Sequence, residues 1–189
     1  MGSYDYGKPE VVAWIRENFP LDSTILDVGA GDGKWRQLLR KYPNMDAVEA
    51  YEPNLQWLTG YRRTFHADIR DFRFDRYDLI IFGDVLEHLS VEDAQAVLDY
   101  ARPRCRDMVI AVPFLYEQGA IYGNPYEIHI QDDLTPELFE ERYPGFEVRE
   151  MTRAAAPGTS GGAETPLRRP FAPAPRGRIF SLRGGVFRV

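Results

Sequence analysis

Seven acids and imidazoles in this chain stand where they could do chemistry: Asp27, Glu49, Asp68, Asp84, Glu87, His88 and His129. The first four each lie in or close behind a short apolar run, ILDV, MDAVE, TFHAD and LIIFGD. A carboxylate at the end of a buried strand accepts hydrogen bonds from hydroxyls, amines or cationic head groups of a bound molecule. Glu87 and His88 are adjacent, and Asp84, Glu87 and His88 are spaced to share one face of a helical turn. An acid and two imidazoles are suited to moving a proton or gripping a cation.

These residues need a scaffold that brings strand ends together. Residues 25–35, ILDVGAGDGKW, pass from an apolar strand into Gly29, Gly31 and Gly33, and then into a helical stripe of Trp35, Leu38, Leu39 and Tyr42. Glycines permit tight-turn backbone angles and let a ligand approach the main chain. The helix is expected to stop near Pro43. Ahead of this turn, residues 9–19 read as a helix with Val12, Ile15 and Phe19 on one face.

Further strands are expected at 45–51, 64–67, 77–83 and 108–112, with a sixth at 146–151. YDLIIFG at 77–83 is apolar enough to be a central strand covered on both faces. Helices are expected after Pro53, carrying Leu55, Leu58 and Tyr61, after Ser90 and after Thr135. Strands alternating with helices at this spacing mean an α/β fold, a doubly wound, mostly parallel sheet in three αβα layers.

Composition narrows the function. Residues 1–152 hold sixteen lysines and arginines against twenty-eight acids, which disfavours nucleic acid as partner. No apolar run has the length of a membrane span. The single cysteine, Cys105, cannot close an internal disulfide, as fits a reducing compartment such as the cytoplasm, and we read it as a bland interior or surface residue rather than a thiolate nucleophile. From residue 153 the chain turns to Pro, Gly and Arg, with seven arginines and one acid, and we expect a disordered or atypical basic tail rather than part of the catalytic body. A final hairpin around Gly184-Gly185 is possible there.

The glycine turn selects the ligand. A dinucleotide site needs a third glycine, as in GxGxxG, to seat a pyrophosphate on the helix; here that position is Lys34. Asp27 can order the turn and meet a cationic amino-acid head group. Glu49, twenty residues after Gly29, is placed for two ribose hydroxyls. Asp68 can accept an exocyclic amine, with Ile69 against the base.

Taken together, LDVGAGDG, AVEAYEP, HADI and FGDVLEHL resemble the motifs of class I S-adenosylmethionine-dependent methyltransferases across roughly residues 8–151. The resemblance implies that Asp27, Gly29, Ala30 and Gly31 surround the methionine part of S-adenosylmethionine, Glu49 the ribose, and Asp68 with Ile69 the adenine. Gly83 and Asp84 would lie beside the methyl-transfer point. That family usually completes its sheet with two more strands, of which the seventh must here come from the tail or be absent.

Acceptor chemistry falls to Glu87, His88 and His129 as catalytic candidates. The D-x-x-E-H run plus a distant His resembles the E-x-x-E-H plus His cluster of ubiquinone-pathway O-methyltransferases and small-RNA 2′-O-methyltransferases, where such a cluster can hold a divalent cation. We name no metal ligand on this basis; a cation is carried as an alternative, beside the reading that His88 and His129 bond each other's loops and shape the pocket. Residues 114–129, with Tyr116, Tyr122, Tyr126, Gly119 and Gly123, read as a substrate lid, and Tyr4 and Tyr6 could close the other side. Trp14 and Trp35 are read as packing. The expected acceptor is a small molecule. A nicotinamide-dependent oxidoreductase, disfavoured by Lys34, and a cofactor-binding interaction module without catalysis are the rival readings.

Overall fold

The computed structural model describes residues 7–148. Its five strands are β1 (Ile25–Val28), β2 (Met45–Glu49), β3 (Arg63–His66), β4 (Tyr77–Gly83) and β5 (Cys105–Ala111). They form one sheet in the order β3-β2-β1-β4-β5, and every pairing is parallel. The chain builds outward from β1 to β3, then crosses back to β4. The reversal sets a crevice between the carboxyl ends of β1 and β4, where open α/β sheets bind ligands.

The apolar run of β4 divides its side chains by strict alternation. Leu79 and Ile81 join Ile25, Met45 and Val109 beneath α1 (Lys8–Asn18) and α2 (Lys34–Leu38), with Val11, Val12, Ile15, Trp35 and Leu39. Ile80 and Phe82 face the other way, with Leu26, Val28 and Ile110, onto α3 (Val91–Ala101) and α4 (Pro136–Arg142). Two apolar cores on opposite faces make the three-layer arrangement. Both later helices start as expected: the Ser90 hydroxyl accepts from Asp93 N at 3.0 Å and that of Thr135 from Leu138 N at 3.1 Å.

At the opposite, amino end of the sheet a second polar group is buried. Asp46 on β2 is fully enclosed and accepts from Arg62, Arg63 and the Tyr77 hydroxyl. Burial by itself raises its carboxyl pKa, but these donors outweigh it and hold it below the ordinary value. The cluster ties β2, β3 and β4 together away from the crevice.

Several expected elements are shorter or different. The strand expected at 45–51 ends at Glu49, and α2 stops at Leu38 rather than near Pro43. The helix expected after Pro53 is a 3-10 turn, Glu52–Trp57, with no buried residue. This short crossover must return the chain along the length of β2, and 3-10 geometry advances farther per residue than an α-helix. Glycine at position 60 (φ 80°) then turns the chain into β3. The sixth strand does not begin at Phe146: residues 146–148 are non-strand, and the rest of that segment, the tail after 152, Tyr4 and Tyr6 all lie outside the described residues.

Candidate active site

Where β1 meets the crevice, Gly29, Gly31 and Gly33 all adopt left-handed backbone, with φ of 65°, 55° and 79°. Side-chain-bearing residues are strained there. At Gly29 there is also no room, because a Cβ would lie 2.5 Å from Val85 Cγ2. At Gly31 a Cβ would meet only the Gly29 carbonyl, at 3.8 Å, so this glycine opens outward and presents bare backbone. Ala30, between them, is buried, and its amide donates to Val48 O.

Glu49 locks this turn to the end of β2. Its Oε2 accepts from Gly31 N at 2.7 Å and its Oε1 from Tyr51 N at 2.9 Å. A carboxylate has about four acceptor directions, so each oxygen keeps one for a ligand hydroxyl. Glu49 thus orders the turn, and its remaining acceptor capacity fits a pair of ribose hydroxyls.

Asp27, the third residue of β1, is fully buried. The Tyr61 hydroxyl donates to its Oδ2, whereas Oδ1 has no hydrogen-bond partner among the described residues. Burial pushes its carboxyl up to about 7, against the lowering effect of Tyr61. An enclosed acceptor without a donor calls for one. A cationic or N–H-bearing group beside the glycine turn would supply it.

Gly83 ends β4 in direct apposition to Trp35: a Cβ there would fall 2.1 Å from the indole Nε1. Gly83 is therefore required by packing, and Trp35, 4% exposed, is the packing residue expected of it. Asp84 follows in left-handed backbone (φ 58°), and its Oδ2 receives the Lys8 ammonium at 3.2 Å. Asp68 and Ile69 lie past the end of β3. The Asp68 carboxylate is clamped by Arg70, through its backbone N at 2.9 Å and its guanidinium at 2.6 Å, while Ile69 is buried next to Phe72. Hydrogen bonding to Arg70 holds Asp68 below the ordinary carboxyl range.

The acid–imidazole cluster is assembled by a 3-10 turn, Leu86–His88, and by the loop after β5. It is not the shared helical face expected from the spacing of Asp84, Glu87 and His88. Loop amides Ile130 and Gln131 donate to Glu87 O at 2.7 and 3.0 Å, and the Gln131 side chain donates to Leu86 O and Leu89 O. These bonds fix the base of the loop expected to be a lid, leaving Tyr122, 76% exposed, at its outer part. His88 Nδ1 lies 3.1 Å from Ile128 O and His129 Nδ1 lies 2.6 Å from Tyr116 O. A ring nitrogen facing a carbonyl carries the proton, so Nε2 of each neutral ring is left as an acceptor. The rings meet edge to face at 4.8 Å, and burial lowers both pKa values.

Glu87 is 1% exposed, and neither carboxylate oxygen has a hydrogen-bond partner among the described residues. Burial first, then the Asp84 charge, raises its carboxyl well above the ordinary value, so it tends to hold its proton. One ligand atom from each of Glu87, His88 and His129 falls within 4.8 Å of the others. Cys105 is remote from this chemistry: its thiol lies 3.7 Å from Arg102 O and burial pushes it up to about 12.

Two residues of the crevice escape sequence reasoning. Tyr61 reads as part of a helical stripe, and nothing local reveals that it reaches Asp27, thirty-four positions earlier. Lys8, just ahead of the helix expected at 9–19, carries no local signal of burial but is 1% exposed.

A family model described as a methyltransferase domain matches residues 6–114. No curated protein sequence matches the chain. Among solved structures it is similar to an S-adenosylmethionine-dependent methyltransferase from Clostridium acetobutylicum ATCC 824, at 18% identity and a TM-score of 0.52, covering 61% of this chain and 52% of that one. It is similar also to CalS10, an amino pentose methyltransferase from Micromonospora echinaspora, at 19% identity and a TM-score of 0.51, covering 63% and 56%. A third is a methyltransferase from Archaeoglobus fulgidus, at 18% identity and a TM-score of 0.50, covering 72% and 66%. The match thus spans between half and two thirds of each of these proteins, and the likeness is one of fold. The family model covers more than half of the chain, and the parallel sheet carries a glycine turn at its switch point: the chain belongs to the class I S-adenosylmethionine-dependent methyltransferase family.

Proposed function

We propose that this chain moves a methyl group from S-adenosylmethionine to a small organic acceptor. The observation that carries this reading is the buried, donor-seeking Asp27 oxygen beside an outward-opening Gly31 whose amide is held by Glu49. S-adenosylmethionine, when bound, supplies an electrophilic methyl on a sulfonium. Asp27, Gly29, Ala30 and Gly31 would hold its amino-acid part, Glu49 its ribose, and Ile69 would support the adenine, with Asp68 offering an acceptor already shared with Arg70. Gly83 and Asp84 would border the reacting centre.

An oxygen or nitrogen acceptor attacks with a lone pair and must shed a proton. His88 and His129, held neutral by burial and each presenting Nε2, are the bases we assign to that proton. Glu87, holding its own proton, would donate to an acceptor oxygen. Alignment of nucleophile and methyl falls to the surrounding loop. A small acceptor suits the Tyr116 ring against His129 and the acidic body, and it is the class named for the amino pentose methyltransferase of the same fold.

Calorimetry with S-adenosylhomocysteine and with NAD tests the assignment: tighter binding of NAD would sink it. A methyl-acceptor screen separates an enzyme from an interaction module. No helix among the described residues is long and apolar enough to cross a membrane, and we place the protein in the cytoplasm. We assign the activity to residues 1–152; limited proteolysis that trims the chain to about residue 152 without loss of S-adenosylhomocysteine binding is the expected result.

A second reading of the acceptor side is favoured by the two orphaned Glu87 oxygens. A divalent cation held by Glu87, His88 and His129 would satisfy them, with Ile128 O and Tyr116 O orienting the imidazoles from behind. The imidazoles would then be ligands rather than bases. Calorimetric titration of wild-type protein and H129A with Mn(II) and Zn(II) distinguishes the two: heat from wild type alone supports the cation, and silence from both removes it.

A further inference from the structure

The acceptor end of the crevice is rich in hydrogen-bond acceptors and poor in donors. Glu87 is 1% exposed, and both its oxygens stand without a donor among the described residues. His88 and His129 turn Nδ1 to loop carbonyls, which leaves Nε2 of each neutral ring to accept. Charge acts in the same sense. The Asp84 and Glu127 carboxylates both favour a positive charge at His129 and oppose a negative one at Glu87.

The spacing sets the size of what fits. One ligand atom from each of Glu87, His88 and His129 lies within 4.8 Å of the others, so a single point can lie within about 2.8 Å of all three, an ordinary hydrogen-bond length. Glu87 Oε1 and His88 Nε2 are 4.0 Å apart. The ligand atoms of a tetrahedral ion bound at about 2.0–2.2 Å stand only about 3.4 Å apart. The cluster is thus dimensioned for one atom that donates three hydrogen bonds. A primary ammonium carries three N–H donors and no acceptor. A hydroxyl has one O–H, and even with the Glu87 proton turned onto its oxygen it leaves one imidazole unmatched. A carboxylate or phosphate brings negative charge and no donor.

We propose that the methyl acceptor is a primary amine, seated as its ammonium between Glu87, His88 and His129. This rests on S-adenosylmethionine being the methyl donor, as assigned above. An oxygen of Glu87 accepts an N–H whether or not the other oxygen carries a proton. One ammonium proton passes to an imidazole Nε2, which frees the nitrogen lone pair. That pair forms the N–C bond to the methyl while the C–S bond breaks and leaves its electrons on sulfur. The products are a secondary ammonium, a neutral thioether and an imidazolium that returns its proton to water. The methylated nitrogen keeps only two N–H donors, so it fits the seat less well than the substrate, and a single methylation is expected.

The test probes this seat without the rest of the acceptor. The full chain, saturated with S-adenosylhomocysteine, is titrated with methylammonium, methanol and tetramethylammonium, and the imidazole nitrogen resonances of His88 and His129 are followed by NMR. Methylammonium should shift both rings saturably, at concentrations about tenfold or more below any response to methanol, which has one donor, or to tetramethylammonium, which has the charge and none. E87M should weaken methylammonium about tenfold, and E87Q, which keeps an acceptor oxygen, should restore most of that loss. Because the wild-type discrimination needs no variant, a poorly folded E87M does not spare the proposal. With S-adenosylhomocysteine bound, no response to methylammonium, or an equal response to either control, overturns the amine and leaves the cofactor reading standing. Wild type that does not bind S-adenosylhomocysteine overturns both.

Discussion

Cofactor affinity should depend on pH through Asp27. Its carboxyl titrates at about 7 in the free protein because burial opposes its charge, and its Oδ1 awaits a donor. A cationic head group is attracted by the carboxylate and not by the neutral acid. With that pKa, about nine-tenths of Asp27 is ionised near pH 8 and about one-tenth near pH 6. S-adenosylhomocysteine, which keeps the ammonium, should therefore bind about tenfold more weakly at the lower pH, a difference of about 1.4 kcal/mol. Calorimetry across this range measures it, and repetition in buffers of different ionisation enthalpy should reveal about one proton released on binding near pH 6. D27N, nearly isosteric, should bind weakly and with a flat profile. An affinity in wild type that does not change with pH, or a D27N profile that keeps the wild-type slope, refutes the reasoning. The same shift acts on stability with a definite sign. The folded state holds the Asp27 proton more tightly than the unfolded chain, so this contribution is fully present below the ordinary value of 3.8 and is lost as pH rises to about 7. Its full span is about 4 kcal/mol, and D27N should remove it from the pH dependence of the melting midpoint.

Y61F removes the hydroxyl that supports the Asp27 carboxylate; the midpoint of the binding profile should move to higher pH and affinity near neutrality should fall about 3- to 10-fold, measured by the same calorimetry. G83A drives a methyl into the Trp35 indole and should cost about 1–3 kcal/mol in a denaturant melt, with Lys8, which lies over that ring, displaced as a consequence. D46A strips the acceptor from Arg62, Arg63 and Tyr77 at the far end of the sheet; because both guanidinium groups stay partly exposed and only the Tyr77 hydroxyl is left buried, it should destabilise by about 1–3 kcal/mol at neutral pH. Since the Asp46 pKa is lowered, that deficit should persist above the ordinary carboxyl value and shrink as acid protonates Asp46 in the wild type. Cofactor-site affinity in a D46A that remains folded should stay near wild type.

The elements that position the site were legible because their signals are local. The β4 run YDLIIFG, the glycines after ILDV, and the caps at Ser90 and Thr135 each state a backbone preference within a few residues. Weak local signals misled: EPNLQW carries a helix-compatible proline and leucine stripe, yet the short return from β2 to β3 draws it out as a 3-10 turn. The D-x-x-E-H run likewise promised a helical face, but Asp84 adopts left-handed backbone and only Leu86–His88 is helical.

By itself the sequence determined the order of strands and helices, the turn that must be glycine-built, and the acids that follow each strand, since propensity and periodicity act between near neighbours. Charge state and partnership were decided only by tertiary structure. Tyr61 comes from outside the glycine turn to meet Asp27 and Lys8 to meet Asp84, and the loop after β5 delivers His129 to His88. Desolvation depends on everything packed around a group, at any distance along the chain, so no local spacing announces a carboxyl poised near neutrality or a lysine enclosed among acids. ILDVGAGDGKW named the kind of cofactor; the sheet that folds around it decides what that cofactor meets.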